Sequence, residues 1–194
     1  SKCKKIMFGC NTNLFKPSGE QHVIADKLRI LSIRNHEDIY RVDLIIESLK
    51  ELIQVTDMNI EFNILGSGTN TQLYKNMIQE SSLSPISFFL GNLSQEEMIS
   101  HINRSDIVIS ASRSDGGLAS SIGEAMSCAK VFIASDGSND ENNLWIKDGY
   151  DGFLFKEGDS LSQLPCRHVF ESEAIMKWLK NEKASCPICR KALK

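Results

Sequence analysis

No stretch of this chain reaches the roughly 18 consecutive apolar residues that a membrane-spanning helix requires, so no membrane span is expected. Charge of one sign is not in excess either. The 22 Lys and Arg face 25 Asp and Glu, a formal net charge of −3. That balance speaks against a nucleic-acid binder, which needs a basic surface. No secretory leader is read at the N-terminus, and a cytoplasmic location, or one on the cytosolic face of a membrane, is expected. An initiator Met is lacking. The chain opens on Ser1, Lys2 and Cys3, and a fragment of a longer protein is the expectation. Internal repeats and low-complexity segments are lacking too.

Cysteine is scarce and unevenly placed. Cys3, Cys10 and Cys128 are scattered, whereas Cys166, Cys186 and Cys189 fall in the last 29 residues. That clustering favours metal over a disulfide framework. The scattered three read as small buried apolar residues of a reducing compartment. The composition is 41% hydrophobic and 24% charged, which is that of a soluble globular protein. The 194 residues hold one ordinary domain and a small appendage.

Strand and helix patterns alternate over residues 27–155. Residues 27–33 (KLRILSI), 59–65 (NIEFNIL), 87–90 (SFFL), 106–110 (DIVIS), 131–134 (VFIA) and 153–155 read as strands. Between them, 43–53 carries apolar residues at helical spacing. A polar helix runs through Glu80, Ser94 and Glu97 form a capping box ahead of another, and 120–127 is a fourth. Such alternation predicts a doubly wound parallel sheet with helices on both faces. Ligands then bind beyond the carboxyl ends of the strands, where the loops 34–40, 66–70 and 112–120 fall.

The stretch 110–136 (SASRSDGGLASSIGEAMSCAKVFIASD) carries the strongest chemical signal. A strand enters a small, Gly-rich loop, then a helix bearing Glu124, then a second strand. A helix N-terminus offers unpaired N–H groups and the positive end of a dipole. Glycines let a phosphate approach the backbone. A carboxylate accepts two hydrogen bonds from a sugar diol.

The order and spacing of these pieces carry a resemblance. IMFGCNTNLFKP, LRILSIRNHEDIYRVDLIIESLKEL, FNILGSG, the run ending RSDGG, SSIGEAMSCAKVFIASD and IKDGYDGFLF follow one another as in the donor-binding C-terminal half of group 1 glycosyltransferases, which have the GT-B fold. The resemblance covers residues 5–160 or so. It implies a Rossmann-like α/β half and a retaining transferase that takes a sugar from a nucleotide-diphosphate donor of UDP or GDP type. It implies Glu124 on the ribose hydroxyls and Asp115 beside the donor sugar in a catalytic role. Backbone N–H groups of Gly116, Gly117 and Leu118 would face the diphosphate, with Arg34 pairing to phosphate. An acceptor-binding N-terminal half is expected as the missing partner, with weak donor binding and no transfer in its absence.

This sequence departs from the family pattern at three points. Eight residues lie between Asp115 and Glu124 where the family has seven. No Lys follows Arg34; the next basic residue is Arg41. Ala129 stands where Gly is usual, followed by Lys130. Gly66 and Gly68 read as a turn, and His36 and His101 as structural residues.

After Asp159 the alternation stops, and a boundary is placed in 158–163, between a domain of residues 1–160 and a tail of 164–194. In the tail, Cys166-x-His168 and Cys186-x-x-Cys189 offer a closed N/S set suited to structural Zn²⁺. Between them VFESEAIMKWLKN reads as an amphipathic helix with Ala174, Ile175, Trp178 and Leu179 on one face. The tail resembles the second half of a RING finger, and more closely the SP-RING of SUMO ligases. Glu171 and Ala174 stand where a second zinc site would need ligands. That resemblance implies an alternative function: a ubiquitin or SUMO ligase module recruiting an E2-type protein, with the α/β domain as scaffold.

Overall fold

Aliphatic and β-branched runs make the framework. In the computed structural model the described residues are 9–19, 27–113, 120–135, 146, 152–155, 161–163 and 169–171. The strands β1 (Leu28–Ile33), β2 (Ile60–Leu65), β3 (Ser87–Gly91), β4 (Ile107–Ser110), β5 (Val131–Ser135) and β6 (Phe153–Phe155) form one sheet. Their order is β3-β2-β1-β4-β5-β6, and the pairs β1–β2, β2–β3, β1–β4 and β4–β5 are parallel. The connecting helices are α1 (Val42–Val55), α2 (Thr71–Gln79), α3 (Gln95–Arg104) and α4 (Ser120–Ser127). The strand positions match the sequence reading, and α1 extends beyond the expected 43–53. Two 3-10 turns, Asp38–Tyr40 and Ser84–Ile86, escape the periodic pattern because each is only three residues long.

The chain leaves β1 in one direction, through β2 to β3, and then returns to the other side of β1 for β4 and β5. Parallel neighbours that diverge in this way open a crevice between β1 and β4 at their carboxyl ends. Side chains alternate across a strand, so Ile30 and Leu31 face opposite layers. Leu31 and Val108 share a core cluster with Phe15, Ile102 of α3, Ile122 and Ala125 of α4, and Phe132. On the other face α1 buries Val42, Ile45, Ile46 and Leu49, an i, i+3, i+4, i+7 stripe. Each fully buried side chain of this size contributes about 1.5–3 kcal/mol.

Helix ends follow local chemistry. The Ser94 hydroxyl accepts from the Glu97 N–H at 3.3 Å, and the Glu97 carboxylate accepts from the Ser94 N–H at 2.9 Å, completing the predicted capping box. Helix α4 ends in a Schellman turn. The Lys130 N–H reaches the Ala125 carbonyl at 3.1 Å, and the Ala129 N–H reaches the Met126 carbonyl at 2.9 Å. Ala129 sits there at φ 56°, in the left-handed region.

The segment 9–19 is laced onto the α3/α4 face. The Ser127 hydroxyl donates to the Phe15 carbonyl at 2.6 Å, and the Asn103 amide donates to the Lys16 carbonyl at 3.1 Å. Phe15 itself is buried.

Two compact units emerge, Ser1–Leu154 and Phe155–Lys194. In the second, β7 (Leu161–Gln163) and β8 (Val169–Glu171) pair antiparallel, with Ser162 opposite Phe170. This corrects the expected helix over VFESEAIMKWLKN, because Val169, Phe170 and Glu171 are strand. A β-branched and an aromatic residue favour a ladder when a partner strand is at hand. Residues 172–181, the rest of that stretch, lie outside the described residues.

Candidate functional site at the switch point

Arg34 directly follows β1, so its side chain starts at the mouth of the crevice. Its Nε donates to the Ser110 hydroxyl at 3.0 Å, and Ser110 is the last residue of β4. Its guanidinium carbon also lies 5.1 Å from the centroid of the Tyr40 ring, within cation–π range. A guanidinium held on one edge and one face is oriented before any ligand arrives.

The crevice rim is cross-tied. The Arg113 N–H donates to the Ile39 carbonyl at 2.9 Å, joining the loop after β4 to the loop after β1. The Ser135 hydroxyl donates to the Ser112 carbonyl, joining the end of β5 to the same loop. The turn after β2 closes on the loop after β1 so tightly that side chains are excluded. A Cβ on Gly66, at φ +95°, would lie 2.4 Å from the Arg34 carbonyl oxygen. One on Gly68 would lie 2.7 Å from the His36 carbonyl oxygen. The Gly66–Gly68 pattern is therefore a backbone-to-backbone contact.

Glu124 is the fifth residue of α4, about 6 Å along the axis from the helix start at 1.5 Å per residue. It is half-buried; its carbonyl accepts from the Cys128 N–H at 3.1 Å, while its carboxylate has no hydrogen bond or ion pair among the described residues. Burial raises its pKa above the ordinary glutamate value. A carboxylate left without a partner in such a place is a mark of binding sites. Ser121, in the first turn of the same helix, is buried with a hydroxyl that has no partner among the described residues.

The predicted site residues thus divide. Arg34 stands at the end of β1, with Ser110 of β4 against it, and Glu124 stands on the helix that follows β4. Asp115, Gly116, Gly117 and Leu118 lie outside the described residues, as do Cys166, His168, Cys186 and Cys189. Tyr40 and Ser110 were not singled out from the sequence. Tyr40 carried a signal, the Arg-Asn-His-Glu-Asp-Ile-Tyr run; a serine at a strand end carries none.

The model of the family "Glycosyl transferases group 1" matches residues 17–191. The chain belongs to the group 1 glycosyl transferases. The match runs on through the Cys/His tail. Among curated relatives, the uncharacterized glycosyltransferase MJ1069 of Methanocaldococcus jannaschii is 30% identical over 118 residues, 60% of this chain and 29% of that protein. A stretch of 39 residues, 20% of this chain, is 49% identical to the E3 ubiquitin-protein ligase RNF181 of Xenopus tropicalis, covering 24% of it. Among solved structures, Anabaena Alr3699/HepE in complex with UDP-glucose superposes with a TM-score of 0.62 at 19% identity, over 76% of this chain and 42% of that one. That likeness speaks to the fold. The chain spans less than half the length of each of these proteins. Among the described residues, no helix of this family member is long and apolar enough to cross a membrane.

Proposed function

We propose that residues 1–160 are the donor-binding half of a retaining glycosyltransferase that holds a nucleotide-diphosphate sugar at the β1/β4 switch point. Glu124 accepts hydrogen bonds from the ribose hydroxyls. Arg34 pairs with the diphosphate, and the backbone N–H groups of Gly116, Gly117 and Leu118 face it at the start of α4. Asp115 lies beside the donor sugar. The observation that carries this reading is Glu124: a half-buried carboxylate with no partner among the described residues, on the helix that leaves the crevice. The HepE complex with UDP-glucose supports a UDP-type donor ahead of a GDP type. One α/β layer supplies one wall of a cleft, so transfer to an acceptor needs a second, acceptor-binding half.

Calorimetric titration with UDP, GDP and ADP tests the reading. Binding of at least one, weakened by Glu124→Ala, is expected. No binding by any of the three, or binding indifferent to that substitution, contradicts it.

A second reading concerns residues 164–194. The Cys/His spacing of this tail, with a 39-residue likeness to RNF181 in the chain, supports a RING-type module. Cys166, His168, Cys186 and Cys189 form a donor set of three thiolates and one imidazole, which suits tetrahedral zinc. Zinc there would supply folding energy to an element too small for its own core. An E2-type protein is the partner that such a module, RING or SP-RING, would recruit. Metal analysis of the purified chain should give one zinc per chain, lost in Cys186→Ser. Substoichiometric metal removes this reading.

A further inference from the structure

We propose that His36 is a positioning residue for phosphate recognition: its buried imidazole pins the loop after β1 so that Arg34 projects into the switch-point crevice. The inference rests on the reading of Arg34 as the diphosphate partner.

His36 is fully buried, two residues beyond Arg34. Both ring nitrogens are engaged. Nε2 lies 3.3 Å from the carbonyl oxygen of Leu65, the last residue of β2. Nδ1 lies 2.9 Å from the hydroxyl of Thr71, the first residue of α2. A carbonyl only accepts, so Nε2 carries the proton, and Nδ1 shares the single Thr71 hydroxyl proton with the Gly68 carbonyl, which also lies 2.9 Å from that oxygen. The ring edges meet Tyr74 at 5.4 Å and Phe89 at 5.9 Å between centroids, both near perpendicular.

The main chain of His36 is tied as well. Its N–H donates to the Ser67 carbonyl at 3.1 Å, and its carbonyl accepts from the Asn70 N–H at 2.9 Å. The loop that bears Arg34 is therefore keyed to three elements, β2, α2 and β3, through one side chain. An apolar residue of similar size would fill the space but leave the Leu65 carbonyl and the Thr71 hydroxyl without this partner. The loop would then settle where it next finds hydrogen bonds, and the guanidinium would move with it.

Stability alone does not test this, because any buried substitution lowers it. The decisive readout is the gain in affinity from a nucleoside to its diphosphate, Kd(uridine)/Kd(UDP). Removing Arg34 should cut that ratio about 10- to 100-fold, the loss of a charge-assisted hydrogen bond. His36→Leu should cut it by about tenfold, and Arg34→Ala/His36→Leu by no more than Arg34→Ala alone. His36→Gln keeps an N–H within reach of the Leu65 carbonyl and should retain most of the ratio. If His36→Leu does not fold, Thr71→Val decides, since it removes the Nδ1 partner, along with that hydroxyl's two bonds to Gly68, and leaves the ring; a reduced ratio is expected. A folded His36→Leu with the wild-type ratio, or Thr71→Val with it where His36→Leu fails to fold, overturns the proposal. A ratio that also ignores Arg34→Ala places the failure in the site reading itself.

Discussion

The Nε of Arg34 donates to the Ser110 hydroxyl at 3.0 Å, bridging the carboxyl ends of β1 and β4. This bond spans the point at which the strand order reverses. With the Tyr40 ring 5.1 Å away on one face, it orients the guanidinium at the crevice, where the proposed site would hold a phosphate. Ser110→Ala and Tyr40→Leu should each weaken nucleoside diphosphate binding about two- to fivefold. That loss matches a neutral hydrogen bond or an exposed cation–π contact of about 0.5–1 kcal/mol. Titration of both variants with UDP checks this, and undiminished affinity in both would argue against a preset arginine.

In the proposed donor site, Glu124 would set function against stability. Burial raises its pKa, so the native state holds this proton more tightly than the unfolded chain does. Its contribution to stability therefore grows as pH falls through the native value toward about 4.3. At neutral pH the ionised form is a net cost. Glu124→Gln should raise Tm at pH 7, with the gain vanishing near pH 4, while donor affinity drops about 10- to 100-fold. Paired thermal melts and titrations test both halves.

Ala129 occupies a left-handed position, φ 56°, in the Schellman turn that ends α4. A Cβ in that conformation costs about 1 kcal/mol, and glycine avoids it. Ala129→Gly should stabilise the chain by about 0.5–1 kcal/mol, read as a higher denaturation midpoint with unchanged slope. A lower midpoint would mean that the αL strain is absorbed elsewhere.

The fold was legible because its signals are local. Alternation in LRILSI and FNIL, the stripe Val42, Ile45, Ile46 and Leu49, and the Ser94–Glu97 box each specify an element within a few residues. Arg34 and Glu124 as candidate site residues rest on the order of whole segments rather than on spacing alone. Ser110 and Tyr40 as partners of Arg34 were not, since both contacts depend on how chain ends meet in space. The Ala129 departure turned out to be a glycine-type position filled by another residue. The tail misled at Val169–Glu171, where an amphipathic pattern overlapped a strand whose partner, Leu161–Gln163, lay in the expected linker.

The histidines predict an acid-sensitive fold. Burial holds His36 below the usual imidazole range, the Leu65 carbonyl opposing and Lys75 adding to the shift, with Glu37 opposing. Burial and then Arg104 lower His101 in the same direction, against Glu97 and Glu61. Both are held neutral in the native state, so the unfolded chain binds more protons below about pH 6.5. Their stability contribution should be complete above that pH and decline as pH falls toward the native-state values. Melts between pH 8 and 5 should show the decline, flattened in His36→Gln and His101→Gln. A pH-independent Tm across that window would contradict the assignment of neutral imidazoles.

The central claim is that Glu124 reads the ribose of a nucleotide donor. Titrating wild type and Glu124→Gln with UDP and with 2′-deoxy-UDP tests it most directly. The wild type should lose about tenfold in affinity when the hydroxyl is removed, the value of a hydrogen bond to a charged group, and Glu124→Gln should discriminate far less between the two ligands. Equal affinities of the wild type for both, or a preference fully preserved in Glu124→Gln, would contradict the account.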